Sequence, residues 1–173
     1  MDTSTFMALA LACAPQVDAT TTQALVAVES SHNPYAIGVV QGALLRQPRH
    51  LAEAQATAHQ LQRDGRNFSV GLAQINVHQF DRLGLTLSKA FDPCTNLQAM
   101  QAVLAGCYAR ALPQHPAPAA LRHALSCYYS GNFSTGYRHG YVQRVAAAAR
   151  SARAARFPAS DIHTYLPTPE TPR

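Results

Sequence analysis

One acid, Glu29, stands in a stretch of small and neutral residues that reads Ala-Val-Glu-Ser-Ser-His-Asn-Pro-Tyr-Ala-Ile-Gly from Ala27 to Gly38. Upstream, Thr22, Leu25 and Val26 fall at helical spacings and Glu29 continues their stripe, so a carboxyl group is aimed inward. The helix that carries it is expected to start near Asp18 or Thr20, the latter followed three residues on by Gln23 as in a capping box. It should stop soon after Ser31, because Asn33-Pro34 disfavours helical geometry at Asn33. Glu29 then lies in the last turn, beside unpaired carbonyls at the negative end of the helix dipole. That position and low-dielectric surroundings both oppose ionisation, and together they keep a carboxyl protonated near neutral pH, as a general acid requires. A buried structural Glu paired with an Arg is the competing reading.

Two further runs offer neutral hydrogen-bonding groups on apolar anchors. In Ser69-Val70-Gly71-Leu72-Ala73-Gln74-Ile75-Asn76, Ser69, Gln74 and Asn76 suit sugar hydroxyls and amides, while Leu72 and Ile75 fix the backbone and Gly71 permits close approach. An ordinary helix start is the alternative. Tyr128-Tyr129-Ser130-Gly131-Asn132 closes a helix and puts two phenols beside an opening, where rings stack on pyranose faces and hydroxyls reach a carboxyl. Aromatic core filling is the alternative there. The eight histidines show no partner at useful spacing, His78 and His115 included, and read as structural or solvent-facing. Cys13, Cys94, Cys107 and Cys127 form no Cys-x-x-Cys pair and have no His at ligand spacing, which argues against zinc. Cys94 and Cys107, if on one helix, stand roughly 20 Å apart and cannot easily pair. Cys107 with Cys127 and Cys13 with Cys94 is one option, Cys94 with Cys127 another, and buried reduced thiols a third.

The elements that must hold these groups read as one mainly helical domain over residues 1–157, followed by a Pro- and Thr-rich tail, 158–173, expected to be poorly ordered. With 47% hydrophobic and 13% charged residues, the 173-residue chain is too apolar for disorder and large enough to bury a core. A net charge of +5 biases it towards anionic partners, whether nucleic acid, acidic lipid or acidic cell-wall polymer. Nucleic acid is disfavoured: Arg144, Arg150, Arg153 and Arg156 read as a solvated helix face without interleaved aromatic residues. The apolar run Phe6 to Ala14 is too short to span a membrane and no Lys or Arg precedes it. It reads as a first helix packed through Ala8, Leu9, Ala12 and Cys13, and export would need a separate leader or another route.

Further along, an extended stretch from Val39 to Leu45 gives way after Pro48 to a helix with Leu51, Ala54, Ala58 and Leu61 inside and a stop at Asp64-Gly65. This excursion suits the lip of a cleft. A short helix over Val77 to Leu83 ends at Gly84 and a second short segment reaches Phe91. Asp92-Pro93 or Asn96 caps a long central helix with Leu97, Met100, Leu104, Cys107, Tyr108 and Ala111 on one stripe. After a linker at Pro113 to Pro118, helices follow over Ala119 to Tyr129 and from Tyr141 to about Phe157.

In order, Glu29 with Ser-x-x-Asn-Pro-x-Ala-Ile-Gly, then Gly-Leu-Ala-Gln-Ile-Asn, then Tyr-Tyr-Ser-Gly-Asn, resemble the lysozyme-like lytic transglycosylases of glycoside hydrolase family 23 over roughly residues 13 to 146. The excursion before Asn67 to Leu72 is most similar to the peptidoglycan-cleaving components of type IV secretion systems. The resemblance implies a lysozyme-like helical domain with at most a small β-hairpin and no cofactor or metal. It implies cleavage of the bond between N-acetylmuramic acid and N-acetylglucosamine, with an anhydro-muramoyl product, by the one carboxyl of Glu29. By motif position Tyr128 would hold Glu29 through its hydroxyl, and Gln74, Ser69 and Asn76 would bind saccharide, with Tyr129, Ser130 and Tyr141 completing the substrate-binding set. The family more often has Asn where this chain has Tyr129, which leaves that residue either a polar contact or a stacking surface. Also implied are a periplasmic monomer, glycan strands and other secretion components as partners, and neither nucleic acid nor a membrane span. A non-catalytic glycan-binding or scaffold module is the other reading.

Overall fold

The structure, a computed structural model, describes residues 2–156, so the expectation for the tail falls outside the described residues. Helix α1 spans Thr3–Cys13, and the Asp2 side chain accepts from the Thr5 backbone N–H at 2.9 Å as its cap. Its buried face is Phe6, Ala10 and Cys13, whereas Ala8 and Ala12 are exposed. That corrects the expected face: the one bulky aromatic ring, rather than the run of alanines, decides which side goes inward.

Helix α2, Ala19–Ser30, is capped by Asp18, whose carboxylate accepts from the Thr21 N–H at 3.0 Å. Thr22, Leu25 and Val26 are buried, as their spacing predicts. The helix ends at Ser31, which with His32 adopts left-handed backbone conformation, φ 52° and 62°. Such conformations cost non-glycine residues about 1 kcal/mol each. They turn the chain sharply enough that strand β1, Ile37–Val39, begins seven residues after α2 ends.

Helix α3, Leu51–Arg63, buries Ala54 and Ala58 while Leu51 stays exposed. Strands β2, Phe68–Val70, and β3, Ile75–Asn76, form the small hairpin, and β1 adds to it antiparallel in the order β1-β2-β3. Residues 69–76 are thus a hairpin and not a helix start, and the strand before α3 lies at 37–39, leaving 40–50 as loop. The Gln47 side chain occupies the free edge of β1, accepting from Ile37 N at 2.8 Å and donating to Ile37 O at 3.0 Å.

After the short helices α4, Phe80–Leu83, and α5, Leu87–Ala90, comes α6, Pro93–Ala111, the central element. Asp92 is its cap and Pro93 fills a first-turn position that needs no donor. The stripe Leu97, Met100, Leu104, Cys107 and Ala111 is buried against α7, Ala117–Ser130. Helix α7 starts two residues earlier than expected, with Pro118 inside its first turn. Short α8, Thr135–Arg138, leads into α9, Tyr141–Arg156, which packs along α2. Disulfides Cys13–Cys94 and Cys107–Cys127 tie α1 to the start of α6 and α6 to α7, which resolves the open pairing. No helix among the described residues is long and apolar enough to cross a membrane.

Candidate active site

Alternation along the sheet sorts its side chains. The row Ile37, Val70 and Ile75 is buried, and the row Gly38, Ser69 and Asn76 faces the other way, into a cleft of about 570 Å³. The opposite wall is the end of α7, with Tyr128, Tyr129 and Ser130, and Glu29 lines the same cleft from the last turn of α2. Three segments far apart in sequence therefore converge as their residue types require.

The turn that carries Gln74 is clamped from two helices. Asn96 of α6 is 1% exposed. Its Oδ1 accepts from Ala73 N at 2.8 Å, while Nδ2 donates to Val70 O at 3.0 Å and Ala90 O at 2.7 Å. A Cβ on Gly71 would sit 2.3 Å from that same Nδ2, so only glycine lets the amide approach. Asn96 is thus a buried clamp one turn inside the helix that Asp92 caps. The signal available was a polar residue standing on an otherwise apolar stripe. Asn96→Ala removes all three bonds from the buried turn, and chemical denaturation is expected to show a loss of about 3 kcal/mol; a loss under 1 kcal/mol would mean that water replaces the amide.

Gln74 itself has φ 50°, and its Nε2 donates to Ala36 O at 3.1 Å and Gly71 O at 3.0 Å. With its donors spent on the backbone, Gln74 offers the cleft an acceptor, Oε1, held 2.6 Å from where a Gly38 Cβ would stand. Asn76 Nδ2 donates to Asn67 Oδ1 at 2.8 Å and Ser69 Oγ at 3.3 Å, a polar row along the sheet. Ser130 Oγ turns back to donate to Ser126 O at 2.8 Å, so its hydroxyl proton is committed within α7. His78, exposed and read from sequence as solvent-facing, also borders the cleft.

The partner of Glu29 differs from the expected one. Tyr128 donates its hydroxyl to the Ala73 carbonyl at 2.6 Å, and it is Tyr141, at the start of α9, whose hydroxyl donates to Glu29 Oε1 at 2.5 Å. The physical reason lies in the clamp: with Ala73 N held by Asn96, the Ala73 carbonyl is fixed toward α7 within reach of the phenol. Tyr141, expected in the substrate-binding set, is 2% exposed and is not among the residues that line the cleft. Burial pushes the Glu29 carboxyl up to about 7, opposed by the Tyr141 hydrogen bond and, less strongly, by the Arg144 guanidinium. Burial, reinforced by the nearby Glu29 charge, also raises both tyrosines well above the usual phenol range, so both remain neutral donors.

Other carboxylates are engaged elsewhere. Asp18 and Asp92 cap helices, Glu53 pairs with Arg46, and Asp64 and Asp81 are exposed. Among the described residues Glu29 alone brings a carboxyl to the cleft, and no group of three or more His, Cys, Asp or Glu could hold a metal. The arrangement suits proton transfer to and from a group held between polar walls.

Comparison with known proteins follows the same outline. The profile described as the Transglycosylase SLT domain matches residues 6–149. The "Type IV secretion system protein virB1" of Brucella abortus is 48% identical over 151 residues, covering 83% of this chain and 63% of that protein. The "Protein virB1" of Rhizobium radiobacter is 36% identical over 174 residues, covering 99% and 72% respectively. That of Agrobacterium fabrum is 34% identical over 139 residues, covering 80% and 56%. The chain thus spans about 63% of the length of the Brucella relatives it matches. No solved structure matches it.

Proposed function

This chain belongs to the SLT transglycosylase domain family, and from that premise we propose that it cleaves the β-1,4 bond between N-acetylmuramic acid and N-acetylglucosamine in peptidoglycan without water. The observation that carries the reading is the single carboxyl in the cleft, held near the pH at which it can both give and take a proton. Protonated Glu29 donates to the glycosidic oxygen as the C1–O bond breaks and an oxocarbenium-like centre develops. The carboxylate so formed takes the proton of the C6 hydroxyl while O6 bonds to C1, which closes the 1,6-anhydro ring and restores the acid. Two-carboxylate hydrolysis needs a second acid across the scissile bond, and no other described carboxylate borders the cleft.

Ser69, Gln74 and Asn76 line one wall and Tyr129 the other, where they would contact saccharide hydroxyls, acetamido groups and ring faces. The relatives' printed name belongs to type IV secretion systems. Taking that name together with the proposed reaction, we read this chain as opening the wall locally for assembly of such a channel, a monomer acting in the periplasm with other secretion components. Digestion of murein sacculi followed by mass analysis tests the reaction. Anhydro-ended muropeptides are expected; ordinary reducing ends would make it a hydrolase, and chitooligosaccharide binding without cleavage would make it a glycan-binding module.

A further inference from the structure

The groups packed around the Tyr141 ring form a connected set, of which Tyr129 also lines the cleft while His139 and Arg144 stand behind it. Tyr129, which follows Tyr128 at the end of α7, stacks on the Tyr141 ring with centroids 4.7 Å apart and 21° between planes. Tyr129 is 41% exposed and Tyr141 only 2%, so the outer ring covers the inner one. The Tyr129 hydroxyl lies 3.1 Å from His139 Nδ1. The His139 backbone carbonyl in turn accepts from Arg144 at 3.0 Å, and the Arg144 guanidinium carbon is 6.0 Å from the Tyr141 ring centroid. One residue in the turn between α8 and α9 therefore anchors both the ring that covers Tyr141 and the cation beside it.

We propose that Tyr129, His139 and Arg144 form a brace that fixes the Tyr141 ring and, through its hydroxyl, the orientation of the Glu29 carboxyl, so that Tyr129 and Arg144 are positioning residues of the reaction. The inference rests on the transglycosylase reading for its kinetic consequence, though not for its geometry. Tyr129 covers one face of the Tyr141 ring, and a side chain without a ring at position 129 leaves that face without its stacking partner. Small misplacements of an acid cost on the order of 10²-fold in rate. Arg144 adds a charge that favours the carboxylate which must form when the proton is given up. The titratable and charged groups around Glu29 are then Tyr128 from α7, Tyr141 and Arg144 from α9, and His78 at the border of the cleft, with neutral Ser69, Gln74 and Asn76 from the sheet side.

Two measurements on the whole chain test the brace. In turnover of murein, Tyr129→Ala is expected to lower kcat on the order of 10-fold with a smaller change in KM, and Tyr129→Phe, which keeps the ring but loses the bond to His139, to recover only part of it. A rise in KM with kcat unchanged would make Tyr129 a sugar-stacking platform only and overturn the proposal. Without substrate, the carbon NMR titration of the Glu29 carboxyl should move to higher pH by on the order of half a unit in Arg144→Gln; an unmoved midpoint would remove Arg144 from the brace. Thermal melts establish that each variant is folded. Wild-type protein that forms no anhydro product would instead strike the proposed reaction, while the titration still decides whether Arg144 bears on Glu29.

Discussion

Glu29→Gln is expected to lower anhydro-product formation by roughly 10³-fold or more while making the folded protein more stable at alkaline pH. The amide keeps the shape of the side chain and its Oε1 still accepts from Tyr141, but it has no proton to deliver to the glycosidic oxygen and none to recover. The stability effect follows from the raised carboxyl. Glu29 titrates at about 7 in the folded protein against 4.5 for an unperturbed side chain. The native state therefore binds its proton more tightly than the unfolded chain does, and stability falls as pH rises from 4.5 towards 7. The penalty is absent below 4.5 and fully present above 7, where it amounts to roughly 3 kcal/mol at about 1.4 kcal/mol per unit. Glutamine removes it. Denaturation at pH 5 and pH 8 should show the variant close to wild type at the first and more stable at the second. Equal stability at both would mean that the carboxyl is not held in a low-dielectric site, and retained turnover would exclude Glu29 as the acid.

Much of the frame behind that residue was legible because local chemistry determined it. Asp18 and Asp92 cap the helices their positions announce, and Gly84, in left-handed conformation, stops the short helix before it. The stripe from Leu97 to Ala111 buries the side that its period points to. Helix length alone excluded a Cys94–Cys107 bond, yet choosing between the surviving pairings needed to know that α1 crosses the start of α6. Strands of two or three residues carry too few positions for alternation to register, so the hairpin at Ser69 to Asn76 was hidden in a run with a helix start as its alternative, and the added edge at Ile37–Val39 ends where the extended stretch was expected to begin.

The missing parts of the site depend on distance along the chain. Glu29 and Tyr141 are 112 residues apart, and nothing near either announces the other. Tyr128 was the natural candidate because its motif ends a helix at the cleft, and it does line that cleft. Its hydroxyl is claimed by the Ala73 carbonyl, whose direction is set by Asn96 from a third element. A contact decided by three elements at once leaves no periodic trace in any of them. The same holds for His139, which reaches the site through Tyr129, and for Arg144, which stands beside the Tyr141 ring and bears on Glu29 by its charge.

Tyr141→Phe should separate the two phenols. The variant keeps the ring, its stack on Tyr129 and its buried volume, and it loses only the hydrogen bond to Glu29 Oε1. That bond lowers the Glu29 carboxyl against the pull of burial, so its loss sends the carboxyl above about 7. The alkaline limb of kcat/KM against pH, which reports the acid in the free enzyme, then moves to higher pH. At the same time kcat falls by roughly 10- to 100-fold, because the proton is donated from a side chain no longer held in place. Stability responds with the same sign: a hydrogen bond to an ionised carboxylate contributes about twice what a neutral one does, so Tyr141→Phe costs more at pH 8 than at pH 5. Tyr128→Phe breaks the bond to Ala73 instead. It loosens the turn that presents Gln74, raises KM for glycan and leaves the alkaline limb where it was. A limb that moves in Tyr128→Phe and stays in Tyr141→Phe would reverse the two roles and return the Glu29 contact to the tyrosine that motif position alone had chosen.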